Sequence, residues 1–197
     1  MQLYSILSII VFIQSVYAHF ELIYPPSRGY NESAESQVPC GGAGSTVGNR
    51  TQMPLTDAFL QIYSSHPVYI YGISLVAKSN PILADFRTNL TSIGSGDRNY
   101  PGESCLPINF GLVPGIASGT NATIQIQYNG GDSILYQCTD VVLTNSAANW
   151  NNSACRNASN TNRPDNLTSA AIDFSSSLST LHLLFTVIIG LYLFFIF

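Results

Sequence analysis

The strongest constraint on the fold is a hairpin signal in the second half of the chain. Residues 123–128 alternate polar with apolar side chains, residues 129–132 read Asn-Gly-Gly-Asp, and residues 134–143 are again rich in strand-forming residues. Alternation of this kind is typical of a strand with one buried face, and a Gly-rich step is typical of the turn that joins two paired strands. The sequence therefore predicts two adjacent antiparallel strands.

Other short segments carry the same signal. Residues 58–63 and 68–76 are rich in β-branched and aromatic side chains, and the tetrapeptide Ser-Ser-His-Pro separates them, which predicts strand, turn, strand. Residues 106–114 are apolar and predict a further strand, whereas residues 94–102 read as a loop. No amphipathic helical pattern stands out. The sequence predicts an all-β protein, an immunoglobulin-like or fibronectin III-like β-sandwich.

The two ends of the chain are apolar. Residues 1–18 contain a short apolar run, 3–13, and end in Val-Tyr-Ala, which predicts a signal peptide cleaved after Ala18. A second apolar run, residues 181–197, follows a polar spacer and the small-residue trio Ser-Ala-Ala, which predicts a GPI-anchoring signal with attachment at Ser169. Asn166 is a poorer attachment candidate because Leu167 follows it. The expected location is the outer face of the cell membrane, with the cell wall as the alternative.

These signals predict four segments. They are a signal peptide (1–18), a β-sandwich domain (19–156), a Ser/Asn-rich glycosylated linker (157–169) and a GPI propeptide (170–197). The formal net charge is −4 with no basic stripe, so nucleic acid is not an expected partner. Asn-x-Ser/Thr sites predict glycosylation of a secreted protein. The acceptor residues are Asn31, Asn49, Asn89, Asn121, Asn151, Asn157 and Asn166.

Four cysteines remain after the predicted cleavage, an even number in an oxidising compartment, so two disulfides are expected. Sequence alone allows three pairings. We favour Cys105 with Cys138 and Cys40 with Cys155, a nested arrangement that would tie the N-terminal segment to the end of the domain. A zinc site is disfavoured because the cysteines form no Cys-x-x-Cys pair.

Cleavage after Ala18 would make His19 the first residue of the mature chain. The α-amine and ring Nδ1 of an N-terminal histidine can close on one metal ion, and nitrogen donors in a tetragonal arrangement suit Cu(II). The ring of His66, in the predicted turn after a strand, would add a third nitrogen and complete a histidine brace. The plainer alternatives are a solvated terminus for His19 and a turn residue bonded to the backbone beside Pro67 for His66.

A carboxylate is the expected fourth donor. Asp132, in the turn of the predicted hairpin, is our first candidate because a turn residue can reach a site at the loop end of the sandwich. Its alternative is an Asp that closes its own turn through an Asx hydrogen bond. Asp140, two residues after Cys138, is the second candidate.

An ordered set of short motifs carries a family resemblance. They are His19 to Gly29 (HFELIYPPSRG), Pro39 to Gly42 (PCGG), Asn49 to Thr51 (NRT) with Pro54-Leu55, Ser65 to Pro67 (SHP), Gly130 to Asp132 (GGD) and Tyr136 to Val141 (YQCTDV). Together they resemble the fungal copper acquisition factor BIM1-like family, also called the X325 lytic polysaccharide monooxygenase-like proteins. The resemblance implies an immunoglobulin-like sandwich like that of lytic polysaccharide monooxygenases, a signal peptide and a GPI tail. It also implies one copper ion per domain, held by His19, His66 and Asp132.

The ligand set distinguishes a binder from an oxidase. A carboxylate on copper would compete for the coordination position that oxygen needs and would stabilise Cu(II), so turnover is disfavoured. We expect a cell-surface Cu(II)-binding protein that serves copper acquisition or homeostasis and is not an enzyme, with a plasma-membrane copper importer as a further partner. The alternatives are a monooxygenase acting on a wall polysaccharide, for which Trp150 alone offers little aromatic platform, and a structural wall glycoprotein.

Overall fold

A computed structural model describes residues 19–46 and 48–158. Eight strands form two sheets, which confirms the all-β class, and the described part contains one single-turn α-helix, Asp85–Thr88. No helix in the described ranges has the length and apolar character that a membrane crossing requires. The strands are β1 (Phe20–Tyr24), β2 (Thr51–Pro54), β3 (Phe59–Ser64), β4 (Tyr69–Val76), β5 (Thr91–Arg98), β6 (Gly102–Pro107), β7 (Asn121–Asn129) and β8 (Ile134–Thr144).

The smaller sheet has the order β1-β3-β6, and both of its pairings are antiparallel. The larger sheet has the order β2-β8-β7-β4-β5, in which β2 runs parallel to β8 and the other pairs are antiparallel. The predicted hairpin is confirmed, because β7 and β8 pair continuously from Asn121 opposite Val142 to Asn129 opposite Ile134.

The core lies between the inner faces of the two sheets. Alternate residues of β4 are buried, as a strand with one covered face requires, and β1, β3 and β6 of the smaller sheet contribute the opposing apolar side chains. Burial of this apolar surface is the main term that stabilises the sandwich. The largest fully buried side chains include Phe20, Tyr69, Tyr71, Tyr128, Met53, Leu60 and Ile62.

The predicted disulfide pairing is wrong. The structure joins Cys40 to Cys138 and Cys105 to Cys155, with Cα atoms 5.0 and 4.9 Å apart. Cys105 lies on β6 and Cys138 on β8, in different sheets, and neither belongs to the core between the sheets, so the two side chains do not meet.

Each disulfide fastens a covering segment to the outer face of one sheet. The segment between β1 and β2 crosses the larger sheet, where Cys40 and Cys138 pack with Phe86 outside the main core. The segment after β8 crosses the smaller sheet, and Gln61 exchanges two hydrogen bonds with the backbone of Arg156. Two residues assigned to the linker also bond to β6, because Asn157 Oδ1 accepts from Cys105 N and Ala158 N donates to Glu103 O.

Two strand predictions need correction. Residues 94–102, predicted as a loop, contain most of β5 and the start of β6, and the predicted strand 106–114 is the end of β6 followed by a 3-10 turn at Phe110–Leu112. The predicted strands 58–63 and 68–76 exist as β3 and β4, but they belong to different sheets. The short connection that contains His66 therefore passes from one sheet to the other at one end of the sandwich.

Candidate metal centre

The two predicted histidines lie at the same end of the sandwich. Phe20, the first residue of β1, pairs with Ser64, the last residue of β3, in an antiparallel register. His19 precedes Phe20 and His66 follows Ser64 by two residues, so both extend past the end of the same strand pair. This is the arrangement that a brace of two histidines requires.

The ring of His66 has an unsatisfied nitrogen. Its Nε2 is buried, and no group in the part of the chain that the structure describes hydrogen-bonds to it. The backbone N–H of His66 donates to Ser64 Oγ at 3.1 Å, and Ser64 Oγ lies 2.6 Å from the hydroxyl oxygen of Tyr128. A buried polar atom without a partner is costly, and a metal ion at Nε2 would satisfy it. This residue therefore fits the role of a copper ligand.

The ring of His19 lies against two carboxylates. Its Nε2 is 3.1 Å from Glu32 Oε1 and 4.0 Å from Glu35 Oε2, and its side chain is 21% exposed. A surface cavity opens here, lined by His19, Asn31, Glu32 and Ser33. The Nε2 side of the ring thus faces two carboxylates at a place that solvent can reach.

Glu35 is a buried carboxyl group to which no sequence motif points. Its Oε1 accepts a 2.7 Å hydrogen bond from Gln137 Nε2, while its Oε2 is buried and has no hydrogen-bond partner among residues 19–46 and 48–158. Burial raises the pKa of Glu35 to about 7, the hydrogen bond from Gln137 opposes this shift, and the negative charges of Glu32 and Glu21 add to it.

Gln137 holds the strand that carries His19. Its Nε2 also donates to the carbonyl oxygen of Phe20 at 2.7 Å, and its Oε1 accepts from the backbone N–H of Leu22 at 3.0 Å. β1 is an edge strand, so this side chain from β8 satisfies backbone groups that a further strand would otherwise pair. The start of β1 is therefore fixed from both sides.

Asp132 lies in the β7–β8 turn at this same end. It is exposed, and its Oδ1 accepts a 2.8 Å hydrogen bond from Ser133 N.

Tyr128 stacks on Phe20 with ring centroids 4.7 Å apart. Burial raises the pKa of the Tyr128 hydroxyl to about 12, the hydrogen bond with Ser64 lowers it, and the charges of Asp132 and then Glu35 raise it further.

The described residues contain no group of three or more His, Cys, Asp or Glu side chains arranged to hold a metal ion. Two histidines and the α-amine are not such a group, so this finding concerns only the addition of Asp132 to the brace. The ligand role of Asp132 remains a prediction.

Asp140, the second carboxylate candidate, belongs to a different part of the molecule. It is buried on β8 in an ion pair with Arg28, whose Nη2 lies 2.7 Å from Asp140 Oδ1. It lies six positions after Ile134, the start of β8, which is about 20 Å of extended strand. Asp140 therefore stabilises the fold and does not reach the histidine end.

Comparison with known proteins assigns the chain to a family. Residues 17–160 match the family described as copper acquisition factor BIM1-like. The chain belongs to this family. The match begins just ahead of His19 and includes His66, Asp132 and all four cysteines.

Individual relatives of the BIM1-like family agree with this assignment. The chain is 37% identical over 160 residues to copper acquisition factor BIM1 of Cryptococcus neoformans var. grubii, covering 78% of this chain and 72% of the relative. It is 41% identical over 133 residues to copper acquisition factor BIM1 of Cryptococcus neoformans var. neoformans, covering 64% and 60%. It is 28% identical over 163 residues to lytic polysaccharide monooxygenase-like protein X325 of Yarrowia lipolytica, covering 78% and 59%.

Proposed function

We propose that the mature domain captures one Cu(II) ion at the cell surface for copper acquisition. The ligands are the α-amine and ring of His19 and the ring of His66, with Asp132 as the carboxylate donor. The observation that carries this proposal is the buried, unsatisfied Nε2 of His66 at the same end of the sandwich as His19. The names of the two Cryptococcus relatives support copper as the cargo.

The domain acts as a carrier and not as an oxidase. The single Trp of the chain, Trp150, packs against Tyr24 and Phe59 with ring centroids 4.8 and 5.0 Å apart, near the opposite ends of β1 and β3 from the histidines. It therefore offers no flat aromatic surface beside the proposed copper ion. The carboxylate of Asp132 would also oppose reduction to Cu(I), because a negative charge favours the higher oxidation state.

We propose that a signal peptide and a GPI anchor hold the domain at the outer face of the plasma membrane. The segments that carry them, 1–18 and 159–197, lie outside the described residues, as do Asn166 and Ser169. The other predicted glycosylation asparagines are exposed or partly exposed, which suits a surface glycoprotein. A copper importer in the same membrane is the proposed recipient of the ion.

The test is calorimetry on two forms of the mature domain, one that begins at His19 and one that carries a single Gly ahead of it. We expect the native form to bind one Cu(II) and the extended form to bind far more weakly, because the α-amine becomes an amide. Affinity should also fall on acidification, since copper must displace a proton from the α-amine, and an unperturbed α-amine has a pKa of about 7.7 to 8.0. Equal affinities of the two forms would refute the brace.

A further inference from the structure

The two nitrogens of the His19 ring are not equivalent in a brace. Nδ1 is the atom that can close a chelate with the α-amine of the same residue, so the remaining proton of the neutral ring must sit on Nε2. Metal-binding histidines usually donate this second N–H to a carboxylate or a carbonyl oxygen, which fixes both the tautomer and the ring orientation. A suitable acceptor should therefore lie next to Nε2 of His19.

Two carboxylates occupy that position. Glu32 Oε1 lies at hydrogen-bond distance from Nε2, 3.1 Å, and Glu35 Oε2 lies at 4.0 Å. The Glu32 side chain is 65% exposed, so water competes for it, whereas the Glu35 side chain is 1% exposed. The Oε2 atom of Glu35 is buried, and no described group supplies it with a hydrogen bond.

Glu35 is fixed from the other side. Gln137 donates to Glu35 Oε1 and, with the same amide nitrogen, to the carbonyl oxygen of Phe20, the residue that follows His19. Gln137 therefore links the buried carboxyl group to the backbone next to His19, and the other oxygen of that carboxyl group lies 4.0 Å from the His19 ring. A displacement of Glu35 would therefore disturb both the surroundings of the His19 ring and the start of β1.

We propose that Glu32 and Glu35 position the His19 ring so that an unprotonated Nδ1 faces the metal. Glu32 accepts the hydrogen bond from Nε2–H, and Glu35 adds a buried carboxyl group 4.0 Å from the same nitrogen. This inference rests on the proposed function, because the tautomer matters for copper if His19 is a copper ligand. Glu32 is the hydrogen-bond acceptor, and Glu35 is the neighbouring carboxyl group that Gln137 holds in place.

Glu35→Gln is a sharp test because it preserves shape and reverses polarity at one atom. Gln137 donates to Oε1, so the amide oxygen of the variant should keep that bond and its NH₂ group should face His19. Combined with Glu32→Ala, this change replaces the acceptors beside Nε2 with a donor. Glu21→Gln is the matched control, since Glu21 is an exposed acidic residue whose charge acts on Glu35.

The first measurement uses the metal-free domain with its native N-terminus. Long-range ¹H–¹⁵N correlation spectra, recorded above the titration range of the rings, report which nitrogen of His19 carries the proton. We expect the Nε2–H tautomer in the wild type and in Glu21→Gln, and a shift toward Nδ1–H in Glu32→Ala/Glu35→Gln. A wild-type ring protonated at Nδ1, or no change of tautomer in the double variant, would overturn the proposal.

The second measurement is the Cu(II) dissociation constant of the same proteins. We expect the double variant to bind about 10 to 100-fold more weakly, and Glu21→Gln to change binding by no more than about threefold. An equal loss in the control would assign the effect to general charge and overturn the positioning role. If the wild type binds no copper, the proposed function fails, while the tautomer measurement still decides whether the two carboxylates position the ring. Should Glu35→Gln not fold, Glu32→Ala alone carries both measurements.

Discussion

Arg28, in the segment that covers the larger sheet, forms an ion pair with Asp140 of β8 through two hydrogen bonds. Arg28 Nε donates to Asp140 Oδ2 at 2.8 Å and Nη2 donates to Oδ1 at 2.7 Å, and the two side chains are 3% and 0% exposed. Thr123 Oγ1 donates to Asp140 Oδ1 at 2.7 Å and completes the network. The pair joins the chain just after β1 to the middle of β8, so it fixes the path that leads away from the histidine end.

Removing one member of this pair should destabilise the domain without affecting copper. Arg28→Met leaves a buried carboxylate without its main partner, and we expect a loss of about 3 to 5 kcal/mol in the free energy of unfolding, measured by chemical denaturation. The double variant Arg28→Met/Asp140→Asn should recover much of this loss, because the uncompensated charge is gone. A fall in the Cu(II) affinity of the folded double variant would restore Asp140 as a ligand candidate.

The two disulfides should contribute similar stability and differ in their effect on the site. The loops they close span 98 and 50 residues, which gives about 4.7 and about 4 kcal/mol from unfolded-chain entropy. The first disulfide fastens the segment that carries Glu32 and Glu35, so Cys40→Ser/Cys138→Ser should also weaken copper binding, whereas Cys105→Ser/Cys155→Ser should not. Peptide mapping under non-reducing conditions checks the pairing directly. Recovery of a Cys40–Cys155 peptide would contradict it.

Replacing Asp132 by Asn should weaken Cu(II) binding by about tenfold, or about 1.4 kcal/mol, since the two histidines remain. The reduction potential of the bound copper should rise, because a negative charge that favours Cu(II) is lost. Calorimetry and voltammetry measure the two effects. Asp97→Asn is the control, because Asp97 is an exposed carboxylate on β5 at the same end of the larger sheet. Asp97 pairs with Ile70 of β4, and Ile70 pairs on its other side with Asn129, next to the β7–β8 turn. Equal effects of both variants would mean that Asp132 acts through charge alone and is not a ligand.

Local patterns predicted the elements whose signals are local. β7 and β8 were predictable because alternation and a Gly-rich turn lie within one stretch of sequence. β5 was not, because Gly94 and Gly96 make it look like a loop. The structure gives the reason for Gly96: a Cβ there would lie 2.7 Å from the Tyr71 hydroxyl oxygen, so glycine makes room for the ring of the neighbouring strand. That requirement comes from packing and leaves no trace in the local pattern.

The candidate site divides in the same way. Residue type and position singled out His19 and His66, and the structure brings both to the same end of the sandwich. Glu32, Glu35 and Gln137 were not predictable, because their contacts with β1 depend on how distant segments meet. One signal was present: Gln137 occupies an inward position of β8 between Leu135 and Thr139, and a polar residue there needs a partner. That partner is the edge of the strand that carries His19.

Treatment of intact cells with a phosphatidylinositol-specific phospholipase should release the protein, because we propose a GPI anchor at Ser169. Truncation before Leu181 should give secretion of the soluble domain, since the apolar run that directs anchoring is removed. Fractionation and immunoblotting measure both outcomes, and lipid remodelled to a resistant form is checked by nitrous acid cleavage of the glycan. A mature protein that retains residues 181–197 in its mass spectrum would exclude the anchor.

The copper-loaded domain should release no oxidised oligosaccharides from chitin, cellulose or β-glucan when supplied with ascorbate or hydrogen peroxide. The reason is twofold: a carboxylate from Asp132 competes for the position where oxygen would bind, and Trp150 is packed against Tyr24 and Phe59 and offers a polymer no platform. Mass spectrometry of the soluble products is the measurement, with an active polysaccharide monooxygenase as the positive control. Products from the wild type that disappear in His66→Ala would assign the domain to the oxidative enzymes. If no products form, growth under a copper chelator is compared with and without the gene. A copper carrier should support growth under these conditions, whereas a structural wall protein should not.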